Sequence, residues 1–431
     1  MKNIYSNENK KIHLRLAVHR PPLAVSRLPS TIFVFILALC VSIQMQAQAS
    51  WTIYNTSNSG LPYDNVYCTL PDGQGNLWVG TDYGLGYFDG QNWTTYRTDN
   101  SDLPHNSVRS LLLDENDDLW VGTFIGGLAK YDGIDWTVYN ITNSGLEDNF
   151  IRSMVIDENA TLWVGTSGGL HRLDGTAWQV YNIDNSNLMS NNIPTLAVDE
   201  NNALWIGTIN GGIARLQDTT MTVYTADNTL LTDNTILDIY IDEQQNKLLA
   251  CPAGGLNILN PNANATAFLT LNSSICDNSI SAIAELNGTI FLGTAPAGIC
   301  TFGEWTSYNT DNSPLTNNTI RSLTPEGDSI LWVAPDFGGL IRFKPDFPTV
   351  NQAVAELPDI RVYPNPAVDF IHINTPVHTC VRMYDVLGNM WYENEKILDS
   401  EAIPVQDLPT GIYFLELFFD GRKIIKRVLV N

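Results

Sequence analysis

Positive charge is the scarcest commodity in this chain. Lys and Arg number 23 among 431 residues, against 46 Asp and Glu, so the net charge is −23. Residues 1–49 hold six of the basic residues and one acidic residue, leaving 17 basic and 45 acidic side chains, or −28, for the remainder. A surface of that sign repels DNA, RNA and anionic lipid, so no nucleic-acid partner is expected. Histidine is scarce too. Only His105 and His171 fall within residues 50–345, too few for a three-histidine metal site. The chain has no phosphate-binding P-loop, and its one Gly-x-Ser-x-Gly match, Gly165-Thr166-Ser167-Gly168-Gly169, falls in the strand-to-strand reversal of a repeat rather than in a strand-to-helix nucleophile turn. Cysteine is limited to Cys40, Cys68, Cys251, Cys276, Cys300 and Cys380. No metal-ligand spacing joins them, and no metal or cofactor is expected.

Long apolar runs are also missing, apart from Thr31 to Ile43. A basic stretch (Lys2, Lys10, Lys11, Arg15, Arg20, Arg27) precedes that run, and Ala47-Gln48-Ala49 follows it as a small-x-small cleavage pattern. The segment reads as an export signal over residues 1–49, after whose removal the chain is not an integral membrane protein. The run is short for a membrane span, and an uncleaved anchor is the alternative. The long basic lead also leaves room for a start downstream of Met1. Loss of Cys40 leaves five thiols, which cannot all pair. One disulfide among Cys251, Cys276 and Cys300 stays open, whereas Cys68 and Cys380 read as buried free thiols.

What the chain does have is a repeat. Leu77-Trp78-Val79-Gly80-Thr81 recurs at Leu119–Thr123, Leu162–Thr166 and, with Ile206, Leu204–Thr208. Weaker copies centre on Leu249, Phe291 and Trp332. A period near 42 with short apolar segments predicts a radial or stacked β-repeat. Each unit reads as four strands; in the second they are 108–113, Leu119–Thr123, Leu128–Tyr131 and Trp136–Tyr139, separated by turn residues. The fourth-strand phrase counts seven times, at Trp51–Tyr54, Trp93–Tyr96, Trp136–Tyr139, Trp178–Tyr181, Met221–Tyr224, roughly Ala267–Thr270 and Trp305–Tyr308. The first lies ahead of any other strand, and the last unit has no fourth strand of its own. The expected fold is therefore all-β: a seven-bladed β-propeller over residues 50–345, closed by the N-terminal strand. An open solenoid is the alternative. The recurring tryptophans read as core.

These LWVGT-GGL repeats resemble the two-component regulator propeller family, whose repeats form periplasmic sensor domains of hybrid histidine kinases. No kinase, membrane helix or DNA-binding segment is read after the repeats, so signalling through a kinase of its own is not expected. Beyond a linker at 346–358 the period stops. Val362-Tyr363-Pro364-Asn365-Pro366, Tyr384-Asp385-Val386-Leu387-Gly388 and Leu408-Pro409-Thr410-Gly411-Ile412-Tyr413-Phe414 follow, and the end is basic through Arg422, Lys423, Lys426 and Arg427. Short strands and turns predict a small β-sandwich over 359–431. This stretch resembles the type A C-terminal sorting domain of type IX secretion. The resemblance implies passage across the outer membrane, the secretion machinery as partner, and attachment to the cell surface or release.

Candidate functional residues emerge where the repeats differ. Asp64, Asn106, Asn149, Asn191, Asn234, Asn278 and Asn318 recur at the start of each first strand, an arrangement that reads as a strand-starting Asx turn. Three residues after each stands a position that is not repeated. It holds Arg321, Tyr67, Arg109 and Arg152 in blades 7, 1, 2 and 3, and Pro194, Leu237 and Ser281 in the rest. The loops between second and third strands add Phe337, Tyr83 and Phe124 from blades 7, 1 and 2. Closure would set these on one arc at the channel mouth. Three of only ten basic residues in 50–345 lie there. Arg forks suit carboxylate or phosphate, and aromatic faces suit sugars, so the arc is the expected site for a glycan, an anionic group or a surface protein. Pairing of these arginines with nearby carboxylates is the competing reading. The acidic turns at Asp72–Asn76 and Asp114–Asp118 distantly resemble calcium loops but lack the ligand set, and read as turns. The leading function is a noncatalytic secreted binding protein. The alternatives are a propeller enzyme, since lyases related to streptogramin lyase have similar repeats, and a structural adhesion protein.

Overall fold

The structure, a computed structural model, describes residues 49–347, 360–385, 389–419 and 422–430. The expected export signal and most of the expected linker lie outside the described residues. Every regular element described is a strand. Seven four-stranded antiparallel sheets follow one another from Ser50 to Lys344, and a five-stranded sheet spans Arg361 to Val430. The N-terminal strand Ser50–Tyr54 pairs with Leu340–Lys344 in the last blade, in a register that sets Trp51 opposite Phe343. Their rings stack at 3.9 Å. The ring is thus closed by a strand borrowed from the other end of the repeat, which leaves no open sheet edge between blades 7 and 1.

The innermost strands, among them Val66–Pro71, Val108–Leu113 and Ile151–Ile156, touch their counterparts in the next blade all the way round, with blade 7 meeting blade 1. The second strand of each blade, carrying the LWVGT phrase, is flanked on both faces by neighbouring sheets and is almost wholly buried. Its tryptophans are core residues: Trp120, Trp163, Trp205 and Trp332 are buried. In addition, each indole Nε1 donates to a carboxylate of the preceding turn, namely Asp114, Asp157, Asp199 and Glu326, at 2.8–3.1 Å. The three Asp carboxylates also accept backbone N–H groups two and four residues on, as at Asp157. The acidic turns are built around internal hydrogen bonds, as the turn reading expects.

The glycine of the phrase has a packing cause. A Cβ on Gly122 would sit 2.2 Å from Ser110 Oγ and 2.6 Å from Ile151 Cγ2 of the next blade. Blades approach so closely there that a hydrogen is all that fits. Blades 5 and 7 carry Ala250 and Ala334 at the same register position, opposite Asp238 and Ser322.

Four sequence expectations change. The Asx ring is not a set of forward turns. Each side chain reaches back to the backbone N–H eight residues earlier, from Thr56 to Asp64 through Thr310 to Asn318. The Asx carbonyls of blades 1, 2, 3, 5, 6 and 7 accept an N–H from a glycine of the preceding blade, as Gly84 to Asn106. These residues therefore fasten blade to blade. Trp305 is not in the last strand of blade 6, which comprises only Ser307–Tyr308; it sits in the turn before it at φ 55°. The fourth strand of blade 5 lies at Ala265–Phe268, two residues earlier than read. Cys276 and Cys300 form the disulfide, leaving Cys251 buried and free, while Cys68 and Cys380 are half-buried rather than buried. His171 is fully buried and accepts the Glu147 N–H at Nε2; burial pushes its pKa down to about 4, so it is a neutral core residue.

The C-terminal sheet runs in the order Arg361–Tyr363, Phe370–Asp385, Gly411–Phe419, Arg422–Val430, with Met390–Pro404 paired to the second of these. One apolar face carries its core, including Ile371, Ile373, Val381, Met383, Leu415, Leu417 and Val428. Among the described residues no helix is long and apolar enough to cross a membrane.

Candidate functional site at the channel mouth

The first strands of blades 1, 2, 3, 6 and 7 each carry a β-bulge one residue after their start, between Val66 and Cys68 in blade 1 and between Val108 and Ser110 in blade 2. The bulged residue is left out of the ladder, which frees its side chain to turn away from the sheet. Those residues are Tyr67, Arg109, Arg152, Ser281 and Arg321. Together with Pro194 and Leu237, whose strands begin just after them, they supply one residue per blade to a single cavity of about 450 Å³. Phe150, Thr319 and Ile320 complete its lining. The sequence variation between repeats is thus concentrated on one cavity at the ring axis.

Four of the seven sequence-predicted site residues line it: Tyr67, Arg109, Arg152 and Arg321. Tyr83, Phe124 and Phe337 do not line it. They stand outside it on the second-to-third loops, 55%, 38% and 63% exposed. The aromatic faces differ in availability. Arg109 lies 3.5 Å over the Tyr67 ring and Arg321 4.9 Å from it, so Tyr67 is clamped between two guanidiniums. Phe124 is taken up by Arg109 at 5.1 Å and by Phe150 at 4.7 Å. Arg97 sits 4.9 Å over Tyr83 and donates from Nε to its carbonyl.

The arginines also differ. Arg109 donates to Asp82 Oδ1 at 3.1 Å, and Asp82 further accepts from Ser107, Asn65 and Tyr67 at 2.8, 2.6 and 3.0 Å. Burial alone would raise the Asp82 pKa, but these hydrogen bonds and the Arg109 charge outweigh it and hold the carboxyl below its usual range. Arg321 grips Asp336 through Nε and Nη2 at 2.8 and 2.6 Å. For these two the competing reading of neutralised arginines holds. Arg152 is different. Among the described residues no carboxylate lies within ion-pair distance of it; its guanidinium faces the Phe150 ring at 5.0 Å, and its Nε is buried with no acceptor. Burial, and next the charge of Arg109, lower its affinity for its proton. The Nε of Arg109 and the Oδ1 atoms of Asn65 and Asn192 are likewise buried and unmatched. Buried donors and acceptors of this kind call for water or a ligand.

Three guanidiniums against two carboxylates leave the mouth one positive charge inside a chain of net −23. No Asp, Glu, His or Cys lines the cavity. Among the described residues no cluster of three or more His, Cys, Asp or Glu could hold a metal.

Asp82, Asp336 and Phe150 were not anticipated from the sequence. A signal existed for each. Asp follows the second strand in blades 1 and 7 alone, the two whose loops face Arg109 and Arg321. Phe150 occupies a position that holds Asn, Ser or Thr in the six other blades.

Comparison with known proteins agrees with this architecture. Residues 60–83, 102–124 and 187–210 match the two component regulator propeller repeat, and residues 361–431 match the secretion system C-terminal sorting domain. The chain therefore carries both modules, and the sorting tail directs it to the cell surface or the extracellular space. Among curated proteins none matches. Solved structures share the fold. PorZ, a surface component of the type-IX secretion system of Porphyromonas gingivalis, superposes with a TM-score of 0.53 at 16% identity over 88% of this chain and 61% of PorZ. The extracellular domain of the putative hybrid two component system BT3049 of B. thetaiotaomicron gives 0.59 at 21%, over 88% of this chain and 57% of that one. Virginiamycin B lyase of Staphylococcus aureus gives 0.53 at 13%, over 69% and 100%. The chain thus spans about three fifths of the length of the first two.

Proposed function

We propose that this exported surface propeller is a noncatalytic binding protein that takes an anionic group of a glycan or other surface ligand into its channel mouth. Residues 1–49 would act as the removed export signal, 50–345 as the binding propeller, 346–358 as a tether and 359–431 as the segment handed to the type IX machinery. The observation that carries the reading is Arg152, a half-buried cation that has no counter-ion among the described residues and whose Nε is buried without an acceptor there. A buried charge of that kind is costly until an anion arrives, and its fork is shaped for carboxylate or phosphate. An enzyme of the lyase or glycosidase type would need an acid or base at the reacting group. Besides the arginines the cavity lining offers only the hydroxyls of Tyr67, Ser281 and Thr319, and the Tyr67 hydroxyl is engaged by Asp82 while that of Ser281 donates to the Ile320 carbonyl.

Calorimetric titration of the secreted protein with glucuronate, galacturonate, sialic acid and a sugar phosphate tests this. One or more of the acids binds the wild type, neutral glucose does not, and Arg152→Met abolishes the heat. Equal binding by wild type and Arg152→Met would overturn the proposal.

A further inference from the structure

The geometry points to a narrower ligand class: an oligosaccharide that inserts a single carboxylate-bearing terminal sugar into the cavity and lays its next residue on Phe337. This rests on the anion-binding reading above and goes beyond it in naming charge, orientation and a second contact.

The charge balance selects a monoanion. Arg109 and Arg321 are each matched by one carboxylate, and only Arg152 is left over. One sugar carboxylate neutralises one guanidinium through two parallel N–H···O bonds. A phosphate dianion would leave one negative charge surplus in a chain that is already strongly acidic. The enclosure selects a chain end. All seven blades contribute lining residues to the one cavity, so its wall is continuous around the axis. A polymer cannot lie across such a mouth, whereas a terminus can enter along it. About 450 Å³ falls in the lower part of the usual range for small-molecule sites.

Phe337 supplies the second contact by an independent observation. Its φ is 50°, in the left-handed region, and its ring is 63% exposed. The loop of blade 4 has the same shape, with Asn210 at φ 62° before its own Gly-Gly pair. Asn enters that region readily, whereas a bulky aromatic there is an outlier. An exposed ring in a strained backbone contributes nothing to folding, and such cost concentrates at functional positions. The rings of Tyr67 and Phe124 are already covered by Arg109, but among the described residues no aromatic ring or cation lies against Phe337. It is tied to the cavity wall: Asp336, its neighbour, binds Arg321 and donates its N–H to the carbonyl of Thr319 at 2.8 Å. A sugar leaving the cavity on the blade 7 side meets that open face.

The test titrates full-length secreted protein with free glucuronic acid and with a xylo-oligosaccharide capped by non-reducing terminal glucuronic acid, using wild type, Phe337→Asn and Arg152→Met. The oligosaccharide is expected to bind the wild type about tenfold more tightly than the monosaccharide. Phe337→Asn should erase that advantage, leave monosaccharide affinity unchanged, and melt no lower than wild type because Asn suits the loop. Arg152→Met should abolish both. If glucuronic acid binds through Arg152 but the oligosaccharide gains nothing, and Phe337→Asn changes neither, the platform and the sugar-chain assignment are overturned while the anion site stands. A peptide bound by its free C-terminal carboxylate in preference to both sugars overturns the sugar class. If neither acid binds and Arg152→Met behaves as wild type, the underlying anion reading falls as well.

Discussion

Replacing Arg152 by Met should make this protein more stable and at the same time inactive in binding. Met keeps the length and flexibility of the side chain, and Phe150, Pro194 and Leu237 around the cavity offer it apolar contacts. The change removes a half-buried cation that has no counter-ion among the described residues, that sits close enough to Arg109 to be repelled by it, and that has one buried N–H without an acceptor among them. Exchanging buried charge for well-packed apolar groups stabilises by roughly 1–4 kcal/mol in documented cases. The channel gives the guanidinium some access to water, so the lower end applies, about 1–2 kcal/mol. At about 2–4 °C per kcal/mol for a large domain, the melting temperature should rise by roughly 2–8 °C. The ligand response should move the other way. An anion at one hundred times its dissociation constant stabilises the wild type by about 2.7 kcal/mol and the variant not at all. Thermal unfolding with and without glucuronate measures both effects in one experiment. Arg321→Met is the control, because it strands Asp336 and should melt lower. A fall in melting temperature for Arg152→Met, comparable to that of Arg321→Met, would mean that Arg152 is a structural residue and that the reasoning about an uncompensated charge is wrong.

Three further outcomes follow from other parts of the ring. Gly122→Ala should cost about 2–4 kcal/mol in urea unfolding, because the added methyl meets Ser110 and Ile151 well inside contact distance, whereas Ala250→Gly and Ala334→Gly should each cost about 1 kcal/mol or less. Asp238 lies on the inner strand of blade 5, accepting N–H groups from Ile239 and Ile283, and burial raises its pKa to about 6. A carboxyl whose folded pKa is raised binds more protons folded than unfolded, so its contribution to stability falls as pH rises from about 4 to about 6 and stays low above that. Asp238→Ser should lose that slope in unfolding measured across pH 4–7.5; an unchanged slope would assign it to another group. Asp82 has the opposite sign, because its folded pKa is lowered: its stabilisation is present above the ordinary carboxylate range and is lost as pH falls through the folded value. Asp82→Asn should therefore destabilise by about 1–3 kcal/mol at neutral pH and tighten binding of a monoanion, since Arg109 is released; weaker binding in titration calorimetry would contradict the charge balance proposed for the mouth.

Much of the architecture was legible because it depends on local rules repeated seven times. The spacing of the LWVGT phrase, the turn residues between strands and the stray Trp51–Tyr54 segment together specify blades and closure, since each strand's period and each turn's chemistry are properties of a few adjacent residues. The position holding Tyr67, Arg109, Arg152 and Arg321 was also legible, as the one place where the repeats refuse to agree. Its bulge was not, because a bulge is a relation between two strands. Neither was the pairing of Cys276 with Cys300, nor the backward reach of the Asx side chains across the loops that join blades.

The carboxylates Asp82 and Asp336 stood in the sequence as the only Asp residues after a second strand, but the pairing that sets the charge of the site belongs to the tertiary structure. Three arginines at equivalent positions look alike in the sequence, yet Arg109 meets Asp82 from the blade before it, Arg321 meets Asp336 within its own blade, and Arg152 faces Phe150 with no carboxylate partner among the described residues. Which guanidinium is left unpaired depends on which loops carry a carboxylate and on which bulged side chain lies within about 4 Å of it. Period and composition set the number of blades and the sign of the surface. Which arginine each loop carboxylate meets, across a blade boundary at Asp82 and within one blade at Asp336, is decided only when the strands are packed.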